Sequence, residues 1–192
     1  MKKRESGYQV STVIEKLEHN GLVIEVVPDE CPMDPREWDN IGTMVCFHKR
    51  YELGDKTDFK SKDYESWEEL YTAIEENGGI HIKPLYLYDH SGISIRIGAW
   101  HGLAQHAQWD SGQVGFIYTT KESLEAYGIT DELTAVTGLG HEVEEYDRYL
   151  RGDVYGYLIK KACPSCEHLG VEDSSWGFSS PEEAIKHAKE SH

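Results

Sequence analysis

Residues 80–97 read I-H-I-K-P-L-Y-L-Y-D-H-S-G-I-S-I-R-I. Ile80 and Ile82 alternate with polar residues, Pro84 slips the phase, and Leu85 and Leu87 resume the alternation. Ile93, Ile95 and Ile97 alternate again after D-H-S-G. A period of two places apolar side chains on one face of an extended chain. The pattern therefore predicts a β-hairpin turning at 89–92. Pro84 has no N–H for a ladder, which points to an edge position or a bulge. A hairpin with an apolar face must be covered, so the remaining segments have to supply further strands and helices.

They do so in mixed order. T-V-I-E-K-L, with Thr12 and Glu15 as a capping box and Gly21 as a stop, predicts a helix over 11–20. L-V-I-E-V-V before Pro28 predicts a strand, and the three prolines of 28–42 predict a long loop. T-M-V-C-F at 43–47 reads as a strand. Ser66 and Glu69 open a helix with Trp67, Leu70 and Ile74 on one face, and Gly78 closes it. Q-V-G-F-I-Y-T is another strand, with Thr120 capping a short helix. Residues 130–151 have helical spacing, and Gly138 and Gly140 are expected to split them in two. Strands at V-Y-G-Y-L-I and S-S-W-G-F precede a last helix opened by Ser180-Pro181. The expected class is α+β, a mainly antiparallel sheet with helices packed on one side and a C-terminal ββα appendage. The expected domains are a helical extension at 1–21, a core at 22–160 and a hairpin-helix at 161–192.

Composition bounds the function. The 192 residues carry a formal net charge of −16, which disfavours direct nucleic-acid binding through a basic surface. A basic partner protein is the complementary expectation, and simple solubility is the bland one. No apolar run is long enough for a membrane helix. Met1-Lys2-Lys3-Arg4 leads into polar residues, unlike a secretory leader, so a cytoplasmic location is expected.

Three stretches share a design: W-D-N-I-G at 38–42, Y-D-H-S-G at 88–92 and W-D-S-G-Q at 109–113. Each sets Asp, a small polar residue and Gly near a strand end. One reading is a set of self-bonded turns. The other gathers them on one rim of the sheet, with Asp39, Asp89, His90 and Asp110 as ligands or acid/base groups. His48 would join them as an imidazole ligand or acid/base group, and Trp38, Asn40, His48, Ser91, Ser111 and Gln113 are the candidate binding residues. Carboxylates with imidazole suit a hard or borderline metal whose bound water attacks a phosphate or an amide. Neighbours in one turn cannot form a Ser–His–Asp relay, and no G-x-S-x-G elbow is present. His101 and His106 lie in an irregular stretch that reads as a surface loop or a lid.

Cys163 and Cys166 form a C-P-S-C pair, followed by His187 and His192 on the last helix. Strand, C-x₂-C, strand and a helix with two His is the order of a ββα zinc finger, although the spacer is longer than the usual dozen residues. His168 is an alternative ligand. Inert thiols and redox chemistry are the competing readings. The run E-V-E-E-Y-D-R-Y-L contains Glu142, Glu144, Glu145 and Asp147. It reads either as a solvated face or as a stripe for a basic partner.

W-D-N-I-G-T-M-V-C-F-H-K-R-Y-E-L-G-D, L-Y-L-Y-D-H-S-G, W-D-S-G-Q-V-G-F-I-Y and Y-D-R-Y-L-R-G-D-V-Y-G-Y together resemble a family of small bacteriophage and mobile-element proteins. The likeness spans about residues 24–178. It implies an accessory protein acting inside a bacterium and assigns no catalytic residue. The N-terminal segment, the stretch between D-H-S-G and W-D-S-G, and C-P-S-C depart from the family pattern. Zinc at C-P-S-C would then be peripheral. The leading expectation is an accessory protein that binds a host defence or nucleic-acid-handling protein through an acidic surface. The alternative is a metal-dependent hydrolase or small-molecule-binding enzyme built on the Asp/His turns.

Overall fold

The computed structural model describes residues 12–100, 110–164, 166 and 168–192. His101 and His106 lie outside the described residues. The chain forms two compact units, one of 34–151 and one joining the residues up to Met33 with Gly152–His192. Their boundaries thus fall after Met33 and after Arg151, not at 21/22 and 160/161. Antiparallel pairing throughout both units gives the α+β class.

In the terminal unit, β1 (Glu15–His19) and β2 (Leu22–Pro28) pair with β7 (Tyr155–Ala162) and β8 (Leu169–Phe178) in the order β1-β2-β7-β8. The helix expected over 11–20 is therefore a strand over its described C-terminal half. Asn20 and Gly21, with φ of 49° and 74°, close a two-residue turn that pairs His19 with Leu22. Two consecutive left-handed residues suit Asn-Gly, and this geometry matches the twist of the flanking strands. The hairpin ladder then outweighs the single capping-box signal. The last helix, Pro181–Ser191, starts at Ser180, whose side chain accepts from the Glu183 amide. It packs Ala184 and Ala188 against Ile24, Val26, Tyr157 and Ile159. Glu25, on the other face of β2, is buried between Lys16 and Lys160.

The 34–151 unit is built on a second sheet, ordered β3-β6-β4-β5. Its strands are β3 (Thr43–Cys46), β4 (Gly79–Asp89), β5 (Ile93–Ile97) and β6 (Ser111–Thr120). The β4–β5 hairpin forms as expected, with Asp89 opposite Ile93. Pro84 does not sit on an edge strand, because β4 lies between β6 and β5. The ladder is instead relieved by register shifts between Ile80 and Lys83 and between Leu85 and Tyr86.

Alternation separates two cores. Met44, Leu85, Leu87 and Ile117 pack with Leu139, Val143 and Tyr146 of α3 (Glu132–Arg151). Val45, Phe116 and Tyr118 point the other way, onto Leu70 and Ile74 of α1 (Trp67–Glu76). In this unit the two main helices thus take opposite faces of the sheet. The short α2 (Lys121–Ala126) follows β6 and is capped by Thr120, as expected. Helix α3 is continuous through Gly138 and Gly140. A side chain at Gly138 would stand 2.7 Å from Ile41, so close packing explains that glycine without a helix break.

Candidate binding site

A cleft in the 34–151 unit begins where β3 ends. Phe47 N–H donates to the Val114 carbonyl at 2.7 Å, and the chain then doubles back so that the Asp55 amide donates to the Met44 carbonyl at 2.8 Å. A buried ion cluster fixes this return. Arg36, only 4% exposed at its side chain, donates to both Asp55 oxygens at 3.0 and 2.7 Å and to Glu142 Oε2 at 3.0 Å. It also donates to the Gly42 carbonyl at 2.7 Å. Glu142 Oε1 accepts the amides of Ile41 and Gly42 at 2.7 and 3.1 Å, and Asp55 Oδ2 accepts that of Met44 at 2.7 Å. Burial alone would lower the Arg36 pKa, but the hydrogen bonds and charges of Asp55 and then Glu142 outweigh it and raise it. Gly42 is required here, since a Cβ would stand 2.5 Å from Leu139 and 2.9 Å from Glu142.

Between this anchored loop and the start of α1 lies a cleft of about 910 Å³. That volume falls in the range of small-ligand pockets, roughly 300–1,000 Å³. Phe47, Tyr64 and Trp67 line it as half-buried rings. Phe47 lies near-parallel to Tyr64 and to Trp67, at 15° and 17°, with centroids 6.4 and 6.3 Å apart. Glu52, Glu65, Lys49 and Lys56 stand exposed around it. Cys46 is in its wall. Burial, and then the Asp55 charge, push its thiol up to about 12, which keeps it protonated and inert at neutral pH. Tyr146, whose hydroxyl accepts the Gly54 amide at 3.0 Å, is likewise raised to about 12 by burial.

Helix α1 starts with a reciprocal cap. The Glu69 amide donates to Ser66 Oγ at 3.2 Å, and Glu69 Oε2 accepts the Glu65 amide at 2.7 Å. Glu68, Glu69, Glu75 and Glu76 lie on this helix, which contains no basic residue. A shallow groove of about 440 Å³ runs along it, sharing Tyr64 with the cleft and adding Asp63, Glu68, Glu69 and Glu76. Glu75 and Glu76 sit at the negative end of the helix dipole, where they oppose helix stability. The sequence signal for this acidic face was D-Y-E-S-W-E-E-L-Y-T-A-I-E-E itself, and the helix period hid it among core residues.

The acidic stripe expected on α3 is internal at two of its four carboxylates. Glu142 belongs to the Arg36 cluster, and Asp147 accepts from Ser94 Oγ at 2.6 Å and the Ile95 amide at 2.8 Å, holding α3 to β5. Glu145 pairs with Arg148, and Glu144 is exposed. Glu142 and Asp147 thus look like part of a charged face in the sequence but are held by complementary groups in the fold.

The three Asp-containing turns do not gather on one rim. Tyr88 pairs with Ser111, so the Y-D-H-S-G turn and the start of β6 meet at one end. His90 Nδ1 lies 3.2 Å from Asp110 Oδ2. Asp89 accepts from Arg50 and, at 3.3 Å, from the Tyr51 hydroxyl. Tyr51 stacks on His48 at 4.9 Å, and both rings also line the cleft. W-D-N-I-G is at the other end of β6, where the Thr119 hydroxyl donates to the Ile41 carbonyl at 2.7 Å. The strand rise separates the two ends by roughly 30 Å, so Asp39 cannot share a site with Asp89, His90 and Asp110. Asp39 and Trp38 are exposed, and the Asn40 amide donates to Pro35 and Trp38 carbonyls within its own turn. Ser91 is exposed at φ 59° in the hairpin turn. Ser111 faces Tyr88 in the ladder, and Gln113 donates to the Gly115 carbonyl at 3.4 Å.

The four expected zinc ligands also stay apart. Cys163 and Cys166 occupy the β7–β8 loop. His187 is 3.1 Å from the Tyr157 hydroxyl and packs on Phe178, about 20 Å back along the hairpin. His192 lies 3.0 Å from Asp173, which pairs with Ile159 in mid-hairpin. No group of three or more metal-ligating side chains occurs among the described residues. Comparison with family models, curated proteins and solved structures gives no match.

Proposed function

We propose that this protein is a phage or mobile-element accessory protein whose 34–151 unit binds a basic host protein in the bacterial cytoplasm. The observation that carries the reading is the α1 face. Its carboxylates are concentrated on one exposed helix, without a basic residue in that helix, and two of them oppose the helix dipole. Charge placed against local stability is expected of a surface kept for recognition. The test is charge reversal with Glu75→Lys and Glu76→Lys, followed by capture from host lysate at low and high salt. The expected result is that basic proteins retained by the wild type at low salt are lost from the variant, while its thermal midpoint is equal or higher. An unchanged set of retained proteins refutes the reading.

A second reading rests on His90 and Asp110. A carboxylate 3.2 Å from an imidazole orients it as a general base, while Asp89 is held by Arg50 and Tyr51. Metal-dependent hydrolysis by the His90–Asp110 pair is tested with a chromogenic phosphate ester in Mg²⁺, Mn²⁺ or Zn²⁺. Turnover abolished by His90→Asn is the expected signature, and none in the wild type with any of the three metals ends this reading.

A further inference from the structure

We propose that the aromatic cleft receives the guanidinium of an arginine, carried by a basic segment of the partner that lies along α1. This rests on the basic-partner reading and identifies which residue of the partner is read. Two features of the cleft favour a planar cation, and the charge of the whole chain favours cations in general. Phe47, Tyr64 and Trp67 line the cleft as near-parallel rings, and guanidinium stacks flat on aromatic faces. Glu52 and Glu65 are exposed in the lining, and among the described residues neither carboxylate is held by a cation. Asp55, by contrast, is already neutralised by Arg36. The whole chain adds a long-range negative potential, with its net charge of −16.

Lys49 and Lys56 are the opposing groups. Both are exposed on long stems, so their ammonium groups can stay in water while the stems cover apolar surface. An anionic ligand would be attracted by these two alone and repelled by the carboxylates and the ring faces.

The acidic groove sets the rest of the segment. It shares Tyr64 with the cleft and continues past Glu68 to Glu76. Ten helical residues span about 15 Å, which four or five extended residues cover. The partner segment is therefore expected to carry a second basic residue four or five positions from the arginine.

The experiment measures fluorescence anisotropy of three labelled peptides with the full chain at low salt. One carries arginine and, five positions on, lysine. The second replaces the arginine by lysine at equal charge, and the third replaces both by glutamate. The arginine peptide is expected to bind about 3- to 30-fold more tightly than its lysine twin, the range of a desolvated cation–π contact. Trp67→Leu and, independently, Tyr64→Leu are expected to erase that ratio, with circular dichroism confirming each fold. Glu75→Lys with Glu76→Lys should weaken both basic peptides alike and leave the ratio intact. Equal binding of the two basic peptides, weakened by the α1 reversal, overturns the cleft inference and leaves the basic-partner reading standing. No binding of either basic peptide, or tighter binding of the acidic one, overturns both.

Discussion

Glu142 separates two meanings of an acidic helix. If its carboxylate belongs to a recognition stripe, removing it costs the fold little. The Arg36 cluster says otherwise. Glu142→Ala would strip one partner from a guanidinium that is 4% exposed, and would leave the Ile41 and Gly42 amides without their acceptor. Removing one member of a buried ion pair costs about 3–5 kcal/mol. Domains typically have only about 5–15 kcal/mol of stability in total. Glu142→Gln keeps one oxygen for the two amides but loses the charge, so its cost should be lower, about 1.5–3 kcal/mol. Glu144→Ala, two residues along and exposed, should stay within about 0.5 kcal/mol. Urea unfolding of the three variants reads these costs directly. Amide exchange at Ile41 and Gly42 supplies a local check, because both protons should exchange faster in Glu142→Ala. Equal costs for Glu142→Ala and Glu144→Ala would refute the structural role and return Glu142 to the surface stripe.

The other predictions concern single groups. A thiol reagent at pH 8 should modify exposed Cys31 and Cys166 quickly, and Cys46, with its thiol near 12, only after denaturation. Burial tends to raise the Glu25 pKa, but hydrogen bonds from Lys16 and Lys160 outweigh it and lower it. Its stabilising contribution is therefore complete above the ordinary glutamate value of about 4.3 and is lost as pH falls through the lowered folded value. Melting curves between pH 6 and 3 should show a decline that Glu25→Gln flattens. His187→Ala should destabilise the terminal unit by about 1–2 kcal/mol through the lost Tyr157 bond and Phe178 packing. That loss should be the same in EDTA and in zinc, whereas a ligand role would make it zinc-dependent.

Legibility followed the range of the interactions. The 80–97 hairpin, the Ser66 and Ser180 caps and the strand at Leu22 were readable because alternation and capping are local. The Asn20-Gly21 turn is also local, but the Thr12/Glu15 capping box gives the same segment a competing helix signal. The positions of the three Asp turns could not be read, because they depend on the order β3-β6-β4-β5 and on which end of β6 each turn meets. The role of Glu142 was hidden for a similar reason, since its cation, Arg36, lies far away in sequence. His187 and His192 had finger-like order, but Tyr157 and Asp173 claim them from neighbouring strands.

The pairing of β2 with β7 has a consequence for synthesis. The inner unit, 34–151, is complete in sequence before Tyr155 leaves the ribosome. At about 5–20 residues per second, the β1–β2 hairpin waits on the order of ten seconds for its neighbours. During that time the β2 edge has its backbone donors and acceptors unclaimed, and such an edge invites pairing with another nascent chain. Glu25 stands in the middle of that edge strand with its partner Lys160 not yet made. Burying that carboxylate against a foreign strand without Lys160 would be costly, so the same charge that is buried in the finished sheet disfavours premature strand addition.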